Sequence, residues 1–314
     1  MTPQLDPEAQ SILDVVVAAG ELHLSTLPVA EARERVRAAL VTRGAPLPLH
    51  GVTDLELPSP NGALRLRLYR PVPGPLPPAL FLHGGGWTVN DVDTHDDLCR
   101  RLAQRSGWLL ASLDYRKAPE HRHPAQLEDA HLAYRWLLDN PEAIGADGSN
   151  PALFGESSGG NTAAGLALLL RDLGVPSPAL QVLAYPALDH FDRWPSYEER
   201  ATGYILDREL MHWYLGQLLG DDQRLEDPYL YPLTGDDLSG LPPTVLLTAE
   251  FDPLRDEGIA YAKRLAEAGV EVEHVHAADQ MHGFLLLGRV VTRAGSLIDR
   301  AADALARAGK PAPA

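Results

Sequence analysis

A serine set between glycines, in Gly155-Glu156-Ser157-Ser158-Gly159, is the residue of this chain best placed to do chemistry. It follows a short apolar run, Ala152-Leu153-Phe154, and precedes a small-residue stretch of helical character at 160–166. In a strand–turn–helix setting, a G-x-S-x-G sequence holds the serine in a strained turn with its Oγ presented at the end of a sheet. The glycines allow the sharp turn and the close approach of neighbouring elements because they carry no Cβ. Such a serine suits covalent acyl transfer. A glycine-rich turn with an incidental serine is the plainer alternative, and the rest of the chain decides between them.

A serine hydroxyl is a poor nucleophile until a base takes its proton, and the base needs an acid to fix its tautomer. Downstream, Ala249-Glu250-Phe251-Asp252-Pro253-Leu254 puts Asp252 just past an apolar run and at the opening of a helix. Further on, Asp279-Gln280-Met281-His282-Gly283-Phe284 puts His282 in a loop after the last expected strand. Both fall where the carboxyl ends of strands should meet the serine turn. Asp252 could instead simply cap the helix beginning at Leu254, with Glu250 the nearest rival acid. His274 and His276 stand two apart within a strand and share one sheet face, whereas His282 beside Gly283 is freer to reach Ser157.

Acyl transfer also needs donors for the developing oxyanion, and rigidly held backbone N–H groups serve best. His83-Gly84-Gly85-Gly86-Trp87 directly follows the apolar run 79–82, and its three glycines leave N–H groups unshielded. A flexible glycine loop is the other reading. His83 is expected to orient this loop rather than act as a base.

The elements that must position these residues follow from periodicity. Residues 63–69 alternate apolar and polar with period two, as a half-exposed antiparallel strand should. Runs at 79–82, 108–113, 152–154, 180–184 and 244–248 are continuously apolar, and a last strand is expected near 270–275. Helical stretches at 94–106, 125–140, 158–173, 254–268 and about 289–308 lie between or after them. Alternating buried strands and helices imply a mainly parallel sheet covered on both faces. Two helices, Pro7 to Gly20 and Pro28 to Arg43 (stopped by Gly44), precede any strand and are expected to form a separate layer. Residues 188–240 hold no good strand but carry Trp194, Tyr197, Tyr204, Trp213, Tyr214, Tyr229 and Tyr231, with a helix near 207–219. This insertion either packs against the core or, with the N-terminal helices, forms a lid.

Composition bounds the function. A formal net charge of −16 disfavours nucleic acid and anionic membranes, which need a basic surface. The lone Cys99 rules out an intrachain disulfide, so the fold does not depend on an oxidising compartment. The N-terminal stretch lacks the basic residues and long apolar run of a signal peptide, and no run approaches the length of a membrane span. A cytoplasmic location is the expectation.

With these residues in place, the chain resembles the bacterial hormone-sensitive-lipase-like carboxylesterases (family IV esterases) of the α/β-hydrolase superfamily, over about residues 50–290. The likeness rests on His83-Gly84-Gly85-Gly86-Trp87, Asp114-Tyr115-Arg116-Lys117-Ala118-Pro119-Glu120, Gly155-Glu156-Ser157-Ser158-Gly159-Gly160, Tyr185-Pro186-Ala187-Leu188-Asp189, Phe251-Asp252-Pro253-Leu254-Arg255-Asp256-Glu257 and His282-Gly283-Phe284. It implies an α/β-hydrolase fold with a mostly parallel sheet flanked by helices. Residues 1–48 and 188–240 would form a helical cap, and 49–187 with 241–314 the catalytic core. It implies Ser157, Asp252 and His282 as the triad, and the N–H groups of Gly85, Gly86 and Ser158 as oxyanion donors. His83, Gly84, Gly155, Glu156 and Gly159 would support those motifs.

No metal or organic cofactor is implied. The partner would be a small ester with a short to medium acyl chain, and dimerisation is common among such relatives. An amidase, formamidase or lactonase on the same triad is the neighbouring alternative. A non-catalytic hydrolase-like receptor, as in plant gibberellin receptors, is the remote one. Two departures stand out: Glu156 and Ser158 occupy places where the family usually has Asp and Ala. Lys117 likewise replaces a usual Leu, in a loop read as a charged scaffold with Asp114, Arg116 and Glu120.

Overall fold

The continuously apolar runs become the middle of one sheet because only there are both faces of a strand covered. The computed structural model describes residues 3–18, 23–41, 45–221 and 226–309. In chain order, α1 (Pro7–Ala18) and α2 (Val29–Leu40) lead to β1 (Gly51–Leu57), β2 (Leu64–Arg70) and β3 (Pro78–Leu82). Next come α3 (Asp96–Ser106), β4 (Leu109–Asp114), α4 (Ala125–Asp139), α5 (Pro141–Ile144), β5 (Ala152–Glu156) and α6 (Ser158–Asp172). The remainder is β6 (Gln181–Ala184), α7 (Pro195–Glu199), α8 (Arg208–Leu219), β7 (Thr244–Phe251), α9 (Arg255–Glu267), β8 (Val272–Met281) and α10 (Thr292–Ala308). The helix stops expected at Gly20, Arg43 and Gly44 lie outside the described residues.

The eight strands form one sheet in the order β1-β2-β4-β3-β5-β6-β7-β8. Its pairs from β4 through β8 are parallel, while β1 on β2 and β2 on β4 are antiparallel. This is the architecture expected from the alternation of elements. Two strands depart from the periodicity reading. β1 escaped it because Asp54 and Glu56 are poor strand formers; cross-strand pairing decides, with Asp54 opposite Arg67 and bonded to it at 2.7 Å. β8 runs on to Met281, past the expected end near Val275, because the long β7 continues to pair with it through a register shift after Ala249. That extension sets His282 directly at a strand's carboxyl end.

One apolar cluster lies under α3 and α10, with Phe81, Leu102, Phe154, Leu247 and Ile298 fully or nearly buried. A second, under α4, α6 and α9, gathers Leu80, Leu113, Tyr134, Leu166, Leu246 and Tyr261. A third joins Trp87, Ala187 and Leu254, from loops after β3, β6 and β7, to Leu27 and Ala32 and to Tyr197, Met211 and Tyr214 of the 188–240 insertion. The expected N-terminal layer therefore divides. Ala32 of α2 joins this third cluster, whereas α1 buries Ala9 and Leu13 in the first cluster, against the sheet's α3–α10 side. Asp6 N–H donates to the Asp279 carbonyl at 2.8 Å, and Val15, Val16 and Val17 of α1 stay exposed. Two apolar residues four apart give α1 only one narrow contact stripe, and the α10 side receives it.

Candidate active site

Ser157 sits where β5 turns into α6, with φ 55° and ψ −124°, a conformation that costs a non-glycine residue about 1–3 kcal/mol. The fold holds it there. Ser157 N–H donates to the Ala184 carbonyl of β6 at 2.9 Å. At Gly159 a Cβ would collide with the carbonyl oxygens of Leu82 and His83, so only glycine lets α6 descend onto the end of β3. The residues on either side of Ser157 are buried, while Ser157 itself is half-buried at the carboxyl end of the sheet.

Three side chains far apart in sequence converge here. Ser157 Oγ lies 2.9 Å from His282 Nε2, and His282 Nδ1 lies 2.8 Å from Asp252 Oδ2. An ionised Asp252 can only accept, so Nδ1 carries the imidazole proton and Nε2 is left to accept from the serine hydroxyl. Asp252 is fully buried and makes both contacts considered for it: besides facing His282, its Oδ1 accepts the Leu254 N–H at 2.8 Å, at the entrance to α9. Tyr185 packs its ring 4.8 Å from that of His282 and restricts the imidazole's swing. The rivals are occupied elsewhere. Glu250 binds Arg200 at 2.8 Å, Arg255 at 3.0 Å and His276 at 3.2 Å, and His274 and His276 both bond the Thr248 hydroxyl.

The loop after β3 takes an unusual path. Gly85, Gly86 and Trp87 have φ of 113°, 57° and 56°, three consecutive residues outside the usual L-residue regions. Among the described residues nothing accepts from the N–H groups of Gly85 or Gly86, nor from that of Ser158 at the first turn of α6. These are the three donors that family analogy nominated. A Cβ on Gly86 would strike the ring of Tyr214, which reaches across from α8. His83 donates through Nδ1 to the Gly84 carbonyl at 2.8 Å and stacks on Tyr115, ring centroids 4.2 Å apart. Burial, with Lys117 and His95 nearby, keeps the His83 imidazole well below its usual range and hence neutral. Its ring is held by the Gly84 carbonyl and Tyr115, while the Ser157 hydroxyl is bonded to His282.

A family model described as the alpha/beta hydrolase fold matches residues 79–286, two-thirds of the chain. The chain belongs to that family. The hydrolase is 41% identical over 266 residues to the carboxylic ester hydrolase LipN of Mycobacterium tuberculosis, covering 82% of this chain and 71% of that protein. It is 36% identical over 315 residues to ethyl acetate hydrolase of Pseudomonas putida, covering 96% and 98%. Among solved structures, an alpha/beta hydrolase enzyme from the metagenome of Lake Arreo, Spain, superposes with a TM-score of 0.93 at 39% identity, covering 97% of this chain and 98% of that one. Its relatives place it with the hormone-sensitive-lipase-like carboxylic ester hydrolases.

One residue of the hydrolase's site, His95, carried no readable signal, and the contacts of its neighbours were not readable either. His95, 61 positions before Glu156, buries its ring completely and places Nε2 3.0 Å from Glu156 Oε1, which also accepts the Gly84 N–H. Ser158 Oγ accepts the Trp87 N–H at 3.2 Å, and Tyr115 donates to the His83 carbonyl at 2.7 Å. The charged loop after β4 is a scaffold: Lys117 pairs with Asp114 at 2.6 Å, Arg116 with Asp129 at 2.8 Å and Glu120 with Arg33 of α2 at 2.7 Å. Among the described residues, no group of three or more His, Cys, Asp or Glu stands placed to hold a metal, and no helix is long and apolar enough to cross a membrane.

Proposed function

We propose that Ser157 is the nucleophile, His282 the general base and Asp252 the orienting acid of an esterase acting on short- to medium-chain acyl groups. The observation that carries this is the unbroken hydrogen-bond chain of 2.9 and 2.8 Å from Ser157 Oγ through His282 to Asp252. Ser157 Oγ attacks the ester carbonyl while Nε2 takes its proton, and the buried Asp252 carboxylate stabilises the imidazolium. The tetrahedral oxyanion receives hydrogen bonds from the N–H groups of Gly85, Gly86 and Ser158. Its collapse expels the alkoxide, which takes the proton from Nε2 and leaves as the alcohol. Water, deprotonated by the same nitrogen, then attacks the acyl-enzyme and releases the acid. No step calls for a metal or organic cofactor.

The name of the Pseudomonas putida relative, ethyl acetate hydrolase, supports small esters as substrates, in preference to amides or lactones. The third apolar cluster supports a cap built from the 188–240 insertion with α2, roofing the site through Trp87, Tyr197, Met211 and Tyr214. In this reading the enzyme works in the cytoplasm, in keeping with a fold whose one cysteine, Cys99, is a buried free thiol. An alkyl fluorophosphonate should label wild type at Ser157 and fail to label Ser157→Ala. A series of p-nitrophenyl esters from acetate to dodecanoate should show kcat/KM highest at the short end. Turnover retained by Ser157→Ala, or a maximum at dodecanoate, would refute the reading.

A further inference from the structure

The two side chains that flank the nucleophile both reach the loop after β3, one at each end of its glycine pair. Glu156, the last residue of β5, is 2% exposed, and its Oε1 accepts from Gly84 N–H and from His95 Nε2. Ser158, the first residue of α6, is also 2% exposed and accepts the Trp87 N–H at Oγ. Between these anchors lie Gly85 and Gly86, whose N–H groups point to no acceptor among the described residues. A run of positive-φ glycines has wide conformational freedom of its own. Oxyanion donors act only when they are fixed before charge develops. The segment 156–158 therefore carries the nucleophile and, by its flanking side chains, the anchors of the donors.

We propose that Glu156 and Ser158 are positioning residues that hold the Gly85 and Gly86 donors in register with Ser157 by accepting the N–H groups of Gly84 and Trp87. This rests on the esterase reading above and goes beyond it, because the hydroxyl at 158 stands where the family resemblance implies alanine. The carboxylate at 156 is one methylene longer than the implied aspartate. Its extra reach meets Gly84 and His95 at once, so a shorter side chain would have to give up one contact or draw the loop inward. The hydroxyl does at Trp87 what the carboxylate does at Gly84.

Ser158→Ala removes the acceptor at Trp87 without adding volume. Glu156→Ala removes the acceptor at Gly84, and Glu156→Gln keeps an oxygen there. The measurements are kcat and KM on p-nitrophenyl butyrate, and inhibition by an alkyl trifluoromethyl ketone, which forms a tetrahedral oxyanion adduct on a serine. Thermal melting and fluorophosphonate labelling accompany them. Ser158→Ala should fold and label, lose about 5- to 20-fold in kcat at nearly unchanged KM, and bind the ketone more weakly by a similar factor, less than the loss of a donor itself. Glu156→Gln should recover most of the kcat that Glu156→Ala loses. Wild-type kcat and ketone affinity in Ser158→Ala overturn the proposal for Ser158, and Glu156→Gln no better than Glu156→Ala overturns it for Glu156. If Glu156→Ala does not fold, Glu156→Gln is judged against wild type, a tenfold loss overturning the role. Failure of the wild type to label at Ser157 would instead sink the esterase reading and leave these outcomes without bearing on it.

Discussion

Beneath Ser157 the molecule is held by backbone approaching backbone, whereas the proposed cover, α2 with the 188–240 insertion, is joined by an apolar cluster rimmed with polar side chains. On the lower side Gly159 lies against the carbonyls of Leu82 and His83, and Gly155 against that of Gly159, with no space for a Cβ. On the upper side Arg33 of α2 donates to the carbonyls of Thr88 and Ala118, both at 2.8 Å, and pairs with Glu120. Arg37 pairs with Asp91 and, at 2.6 Å, with Asp93. His123 meets Asp227 of the insertion at 2.7 Å, and His23 meets Asp207 at 3.0 Å. The half-exposed arginine–carboxylate pairs among these are worth about 0–1 kcal/mol each and weaken with salt. Packed backbone admits no such tuning. Ser157, Asp252 and His282 thus rest on the backbone-packed half, and the other half is joined through buried side chains of the third apolar cluster and rimmed by polar contacts that exchange readily with water.

The largest effect should come from the rigid half. Asp252→Asn keeps an oxygen for the Leu254 N–H, so the fold should survive while kcat falls by about 10⁴ through loss of the correct imidazole tautomer. A loss below tenfold would show that the buried acid is not what fixes His282. At the seam between the halves, Gly86→Ala places a methyl into the Tyr214 ring at a φ of 57°. We expect a loss of about 10²–10³ in kcat, the size of a lost oxyanion donor, partly recovered when Tyr214→Ala is added. No recovery in the double variant would mean that strain within the loop, rather than the cover, sets the penalty.

In the cover itself, Arg33→Ala should destabilise by about 1 kcal/mol, with the difference from wild type shrinking in about 1 M salt, where the screening length is ~3 Å. Melting curves at two ionic strengths check this, and an unchanged difference would assign the tether to the two carbonyls rather than to Glu120. The remaining effect is on the pH dependence of stability. His83 is buried and neutral in the folded state, with its pKa held well below the usual value of about 6.5. The unfolded chain therefore binds more protons below about pH 6.5, so stability is fully present above that pH and declines below it, by at most about 1.4 kcal/mol per pH unit. His131 and His274 are shifted the same way by burial, so His83→Gln should flatten the acid slope of Tm only in part. An unaltered slope would mean that the loop lets His83 charge.

Local chemistry made much of this legible before any fold was known. Continuous apolar runs announced the buried strands, and the one alternating run announced β2. Ser157 and Asp252 each stood just past such a run, at the strand ends where an α/β sheet presents its ligands, and His282 stood in a glycine-flanked loop after the last expected strand. Elements defined by pairing rather than composition were not legible: β1, with its two acidic residues, and the far half of β8. The helix α1 was legible, but not its place: it was expected in a layer apart from the sheet, and it packs Ala9 and Leu13 against the sheet's α3–α10 side.

The sequence by itself determined which residues could do acyl transfer and in which order along the chain they came, because turn glycines and strand runs are properties of a few neighbouring residues. Only the tertiary structure decided that Asp252 and not Glu250 faces His282, that His95 meets Glu156, and that the Ser158 hydroxyl holds Trp87. Those are contacts between elements many positions apart. They depend on the order in which strands lie in the sheet and on where side chains of given length end, and no spacing along a chain records either.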